Sequence, residues 1–227
     1  MRPAKHLRDL GLHVLLVAAL AAGASPSRAQ TAPEKDAIIG QLSRFDTAPS
    51  LDIASLRQQV LDRSRSRSRH EPEPSKRPPI VPELAGLPTV NLAIDFDTDT
   101  PVVRPDSYET LGRLADALVN ARLLPYAFLI VGHSDSTGRR EANVILSQRR
   151  ADAIRDVLVN TFKISGKRLQ TLGLGEEQFI DQAHPTSPVN LQIQIVTVAK
   201  MPEQSEPPGQ AAAAMPPSAA KKPKKKK

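Results

Sequence analysis

From Thr89 the chain alternates, with Val90, Leu92, Ile94 and Phe96 apolar and Asn91, Ala93 and Asp95 between them. A period of two predicts a strand with one buried face. Pro105 suits a first helical turn, and Leu111, Leu114, Ala115 and Leu118 follow at i, i+3, i+4 and i+7, so an amphipathic helix is expected as far as Ala121. Ala127 to Val131 is a continuous apolar run between Pro125 and Gly132, the pattern of a central strand buried on both faces. Leu146, Ala151, Ile154, Val157, Leu158 and Phe162 predict a longer helix that stops before Gly166. Leu169 to Leu174 and Leu191 to Val198 predict two more strands. Strand, helix, strand, helix, strand, strand is the order of an α+β or α/β sandwich with helices packed against one sheet.

Upstream the pattern is weaker. Ile38, Ile39, Leu42 and Phe45 allow a helix but are too few to bury a core alone. Leu51, Ile53, Leu56, Val60 and Leu61 form a partial helical stripe from Ser50, with Asp52 in the first turn, where the helix dipole favours it. Arg63, Arg65, Arg67 and Arg69 then alternate with serines, and Pro72, Pro74, Pro78, Pro79 and Pro82 follow. Like charges and prolines predict an extended tether over residues 64–87, reaching on the order of 70 Å in polyproline geometry.

The boundaries follow. Residues 30–63 read as a short helical or irregular segment, 64–87 as a linker, 88–199 as the one folded domain and 200–227 as a disordered Pro/Ala/Lys-rich tail. Arg2, Lys5 and Arg8 precede an apolar run from Leu10 to Ala24 that ends in Ser27-Arg28-Ala29. This is the layout of a cleavable signal peptide over residues 1–29, with cleavage expected between Ala29 and Gln30 and the mature chain in the periplasm or at the outer membrane. The run is shorter than the ~20 apolar residues of a spanning helix.

Charge changes the picture less than its total suggests. Of the net +7, residues 1–29 contribute +3 and Lys221 to Lys227 contribute +6, while residues 88–200 hold 12 basic against 13 acidic side chains. A near-neutral domain argues against nucleic acid as a partner, as does export. The Lys221–Lys227 tail suits weak attachment to anionic lipid or lipopolysaccharide phosphates. With no cysteine in the chain, disulfides, Cys-based zinc sites and a lipidated N-terminal cysteine are excluded. No pair of histidines has metal-ligand spacing, and no metal or cofactor is expected.

The candidate chemistry lies between Gly132 and Ile154, which read GHSDSTGRREANVILSQRRADAI. Gly132 and Gly138 bracket a polar loop at the end of the buried strand, a common place for ligand sites, and Asp135 is the charged residue at its tip. Arg149 and Arg150 differ by about 100° around the helix, so only one faces the loop; Arg150, four residues after Leu146, leans toward the core and reaches back toward Asp135. Asp135 also fits a loop aspartate that holds its turn or caps the next helix, and Arg150 a salt bridge to Asp152, Asp156 or Asp135. Asn143 and Ser147 are explained equally by capping. His133, Ser134 and Asp135 are consecutive, point to alternating sides, and cannot form a nucleophile, base and orienter by adjacency, so a hydrolase is disfavoured.

Ser134-Asp135, Gly138, Asn143, Leu146-Ser147 and Arg150-Ala151 stand at the spacing of the motif T-D-x-x-G, four residues, N, two residues, L-S, two residues, R-A. On this motif the chain resembles the OmpA C-terminal-domain-like family, with Phe96-Asp97 similar to the end of its first strand and Gly173, Gly175 and Glu176 to its G-x-G-E segment. The resemblance covers residues 90–198. It implies an α+β, OmpA-like fold with helices packed on one mixed sheet, and non-catalytic binding of peptidoglycan in the cell envelope. It further implies that Asp135 pairs with the ammonium of diaminopimelate and Arg150 with its carboxylate, with Ser134 and Asn143 in the site. One departure stands out: the family closes its last strand with N-R-R-V-E-I, where this chain has Asn190-Leu191-Gln192-Ile193-Gln194-Ile195. Loss of both arginines leaves open a scaffold whose domain has given up tight peptidoglycan binding.

Overall fold

The structure, a computed structural model, describes residues 33–45, 51–66 and 72–201. The signal peptide, Arg67, Arg69 and the Lys221–Lys227 tail lie outside these residues. A four-stranded mixed sheet forms the centre, in the order β1 (Thr89–Leu92), β4 (Ile193–Lys200), β2 (Tyr126–His133), β3 (Leu169–Gly175). β4 pairs antiparallel with β1 and β2, while β2 and β3 run parallel. Parallel neighbours require a crossover, supplied by α4 (Arg140–Asn160). β1 is shorter than the alternation predicts: after Leu92 only an isolated Phe96–Val103 bridge continues the pairing.

One face of the sheet carries Val90, Leu92, Phe128, Ile130, Ile193 and Ile195. It is covered by α3 (Tyr108–Leu118) through Leu111, Leu114 and Leu118, and by α4 through Ala151, Ile154 and Leu158. This is the expected α+β layer. A short helix α1 (Lys35–Leu42) joins the same core with Ile38 and Leu42 fully buried, so the upstream stretch that cannot bury a core alone completes another.

The second face shows the main departure from the sequence reading. Leu129, Val131, Leu172, Leu174, Val196 and Val198 form a second buried cluster, which only Val144 at the start of α4 joins from the helices of the first layer. Their cover is α2 (Ile53–Arg65), through Ile53 and Val60, together with Val81 and Leu84. Each fully buried aliphatic side chain is worth about 1.5–3 kcal/mol against exposure. An extended tether over 64–87 and a fold confined to 88–199 are therefore corrected, because residues 72–87 form a strap on the sheet. The prolines do not prevent this: Pro82 starts a 3-10 turn that places Leu84 inward. Nor do the arginines repel freely, because Arg63 meets Glu177 at 3.0 Å and Arg65 meets Glu141 at 2.7 Å. Asp52 caps α2, accepting from the backbone N–H groups of Ala54 and Ser55. Among the described residues no helix is long and apolar enough to cross a membrane.

Candidate functional site

Because β2 and β3 are parallel neighbours, their C-terminal ends open on the same edge, and the loops that leave them lie side by side. α4 crosses these ends very closely. A β-carbon on Gly132 would overlap the Ser147 carbonyl, and one on Gly173 the Gln148 backbone nitrogen. Only glycine permits this approach. The Ser147 hydroxyl donates to the Val144 carbonyl at 3.0 Å and accepts from the Gly175 N–H at 2.9 Å, which locks the helix to the strand end. Arg150, three residues on, is thereby held on the side of α4 that faces the site.

The loop between β2 and α4 is a local turn. Asp135 Oδ1 accepts from the Thr137 N–H at 3.0 Å and the Thr137 hydroxyl at 2.6 Å. Its other carboxylate oxygen has no hydrogen bond among the described residues. Ser134 is buried, and its hydroxyl turns back to the Asp135 carbonyl at 3.1 Å. Asn143, in the first turns of α4, donates from Nδ2 to the Thr137 carbonyl at 2.8 Å, the Asp135 carbonyl at 3.3 Å and Glu176 Oε2 at 2.9 Å. It ties the loop together and does not cap the helix, whose N-cap residue is Arg139.

Arg150 is half-buried and Arg149 exposed, so the helix presents Arg150 inward. The guanidinium lies over the Phe96 ring, 4.9 Å from its centroid, and Nε donates to the Thr100 carbonyl at 3.2 Å. It makes no ion pair with Asp152, Asp156 or Asp135; its Nη edge has no hydrogen-bond partner among the described residues. Burial pushes its pKa down, and the nearby charges of Asp99 and Asp135 push it back up. The result is a cation that is supported, partly desolvated and balanced only through space.

The adjacent β3 loop is chemically different. Glu176 and Glu177 are buried. Glu177 is held by Arg140 and by Arg63, and Glu176 by Arg77 at 3.1 Å. His133, at the end of β2, is also buried, with Nδ1 2.8 Å from the Gln178 carbonyl. Burial pushes its pKa down, against the opposing pull of the Gln178 carbonyl and the Gln194 side chain. Of the two positions where arginines are missing, Leu191 is exposed and Gln192 is buried. Asn190, fully buried, organises the loop before them by donating to the carbonyls of Asp181 and His184. That loop reaches the Asp135 turn, where the Ser136 N–H donates to the Pro185 carbonyl at 3.0 Å.

Asp135 and Arg150 form no ion pair, and the charge of Asp135 acts on Arg150 only through space. Ser134 and Asn143 shape the loop that carries Asp135. Sequence reasoning did not assign the Phe96 ring, the Thr100 carbonyl, Asp99 or Thr137 to this site. Thr137, two residues after an aspartate, carried a readable signal for an Asx turn; the others come from a loop distant in sequence. Nor did it foresee that Glu176 would be paired with Arg77 of the strap and Glu177 with Arg63 of α2 and Arg140 of α4. Among the described residues no group of three or more His, Asp or Glu is placed to hold a metal ion.

Residues 95–190 match the model of the OmpA family. The peptidoglycan-associated lipoprotein of Rhizobium meliloti (strain 1021) is 42% identical over 92 residues, which are 40% of this chain and 51% of that protein. Outer membrane porin F of Pseudomonas aeruginosa is 37% identical over 97 residues, 43% of this chain and 27% of the porin. The chain thus spans about half the length of the lipoprotein and about a quarter of the porin. Among solved structures, the peptidoglycan-associated lipoprotein from Burkholderia pseudomallei aligns over 48% of this chain and 87% of that one, with 24% identity and a TM-score of 0.37.

Proposed function

We propose, from the premise that residues 95–190 are an OmpA-family domain, that this protein binds peptidoglycan without catalysis and ties the bacterial cell envelope to its wall. The observation that carries the reading is the state of Arg150: seated on Phe96, fixed by Thr100, and with no hydrogen-bond partner on its Nη edge among the described residues. Such a fork suits a carboxylate, and the unused oxygen of Asp135 suits an ammonium. Diaminopimelate carries both groups at its free end. Charge-assisted hydrogen bonds of about 1.5–3 kcal/mol each make a reversible clamp, which many copies reinforce. Supporting it, relatives at about 40% identity are themselves named peptidoglycan-associated. His133 is buried and bonded to Gln178, and Asp135 is turned onto Thr137, so neither is arranged to activate a nucleophile.

The test is retention on insoluble peptidoglycan by residues 30–227 as wild type, Asp135→Asn and Arg150→Lys. Both variants should be retained less, Arg150→Lys because an ammonium lacks the planar fork. Equal retention of all three overturns the clamp. The absence of arginine at Leu191 and Gln192 favours a second reading, a scaffold with weakened wall binding, for which the wild type itself would elute at low salt. We propose also that residues 1–29 direct export, and that Lys221–Lys227 attach the chain to anionic lipid. Deletion of the tail should then shift envelope fractionation.

A further inference from the structure

The strap and the Asp135 loop are joined by three successive residues. Glu177 meets Arg63 of α2 on one side and Arg140 of α4 on the other. Gln178 accepts from the Val81 N–H at 3.0 Å through its side chain and offers its carbonyl to His133. Glu176 takes Arg77 on Oε1 at 3.1 Å and Asn143 on Oε2 at 2.9 Å, and Asn143 holds the carbonyls of Asp135 and Thr137. The Arg77 and Glu176 side chains are 12% and 7% exposed, so water screens this link little. The Arg77 backbone is itself anchored, its carbonyl accepting from Gln182 Nε2 at 2.8 Å.

We propose that Arg77, outside residues 95–190, is a positioning residue for peptidoglycan binding: it holds Glu176, which holds Asn143, which sets the Asp135 turn. The inference rests on the function proposed above. An N-terminal segment that reads as a linker thereby becomes part of the binding unit, and strap docking and ligand affinity are linked reciprocally. If Arg77 merely balanced the buried charge of Glu176, removing both charges together would leave binding intact. A positioning role predicts otherwise, because glutamine at both sites loses the fixed Arg–carboxylate geometry.

The experiment compares residues 30–227 as wild type, Arg77→Lys, Arg77→Gln and the charge-neutral double variant Arg77→Gln/Glu176→Gln. Two readouts are taken: affinity for a soluble stem tripeptide bearing diaminopimelate, and amide hydrogen exchange at Ser136 and Thr137. Arg77→Gln and the double variant should both bind at least about fivefold more weakly, the lower end of coupling between sites, and exchange faster at Thr137. Arg77→Lys should retain most of both. Where Arg77→Gln lowers the melting temperature, the double variant carries the comparison. Wild-type affinity and exchange in the double variant overturn the proposal. If the wild-type chain itself fails to bind the tripeptide, the functional reading falls, and exchange at Thr137 alone decides the positioning role.

Discussion

Two acidic loops leave the C-terminal ends of neighbouring parallel strands, and they have opposite fates. After β3, Glu176 and Glu177 are buried and each meets arginine, Glu176 from the strap and Glu177 from α2 and α4. After β2, Asp135 is partly exposed and spends one oxygen on its own turn; the other has no hydrogen bond among the described residues, and the half-buried Arg150 forms no ion pair with it. The first loop is saturated and joins elements; the carboxylate of the second and Arg150 of α4 have no ion pair among the described residues. Burial with full pairing marks structure, whereas supported charges left apart mark a place for a ligand.

The largest effect expected of this contrast is at Glu177. Glu177→Ala leaves Arg63 and Arg140 without their shared carboxylate in a buried site, and should cost about 3–5 kcal/mol in urea unfolding. A loss below about 1 kcal/mol, the range of exposed pairs, would show that the cluster is open to water. Next comes Arg150→Ala, which removes one hydrogen bond from the fold but one arm of the proposed clamp. Affinity for the diaminopimelate tripeptide should fall roughly 10- to 100-fold, with unfolding free energy changed by no more than about 1.5 kcal/mol. Comparable losses in both would erase the distinction between the two loops.

A smaller effect is expected from pH. His133 has its pKa lowered by burial, so the unfolded chain takes up a proton near the ordinary imidazole value of about 6.5 while the folded chain refuses it. More protons bound when unfolded means that stability falls as pH drops below that value and is unaffected above it. His133→Gln should flatten this acid limb in melting curves taken between about pH 7 and 5; an unchanged slope would assign it to the carboxylates instead. Least of all should follow from Arg65→Ala. Glu141 raises the Arg65 pKa through a hydrogen bond and its charge, yet both side chains are about half exposed, and the melting temperature should not move measurably.

The elements of the domain were legible because each has a period that burial enforces. Leu111, Leu114 and Leu118 do face the sheet, and Ala127 to Val131 is a strand buried on both faces. That second buried face was itself a clue that another layer must exist. The layer was misread because Arg63, Arg65 and the prolines were weighed by composition. Glu177 and Glu141, which neutralise the two arginines, lie far along the chain, and no local pattern reveals them. In the candidate site, the spacing of Asp135, Asn143, Ser147 and Arg150 pointed to one loop and one helix, which the fold places side by side. It was silent on which oxygen of Asp135 is free, on the Phe96 ring beneath Arg150, and on Asn143 acting as a brace.

By itself, then, the sequence determined what is set by neighbours a few residues apart: the helices, the strands, the polar loop and the order in which they occur. Tertiary structure alone decided which charges are matched. Pairing of Arg77 with Glu176, and the separation of Arg150 from Asp135, depend on how α4 is pressed onto Gly132 and Gly173 and how the strap lies on the second face. Electrostatic energy depends on distance and burial, and neither is a property of chain order.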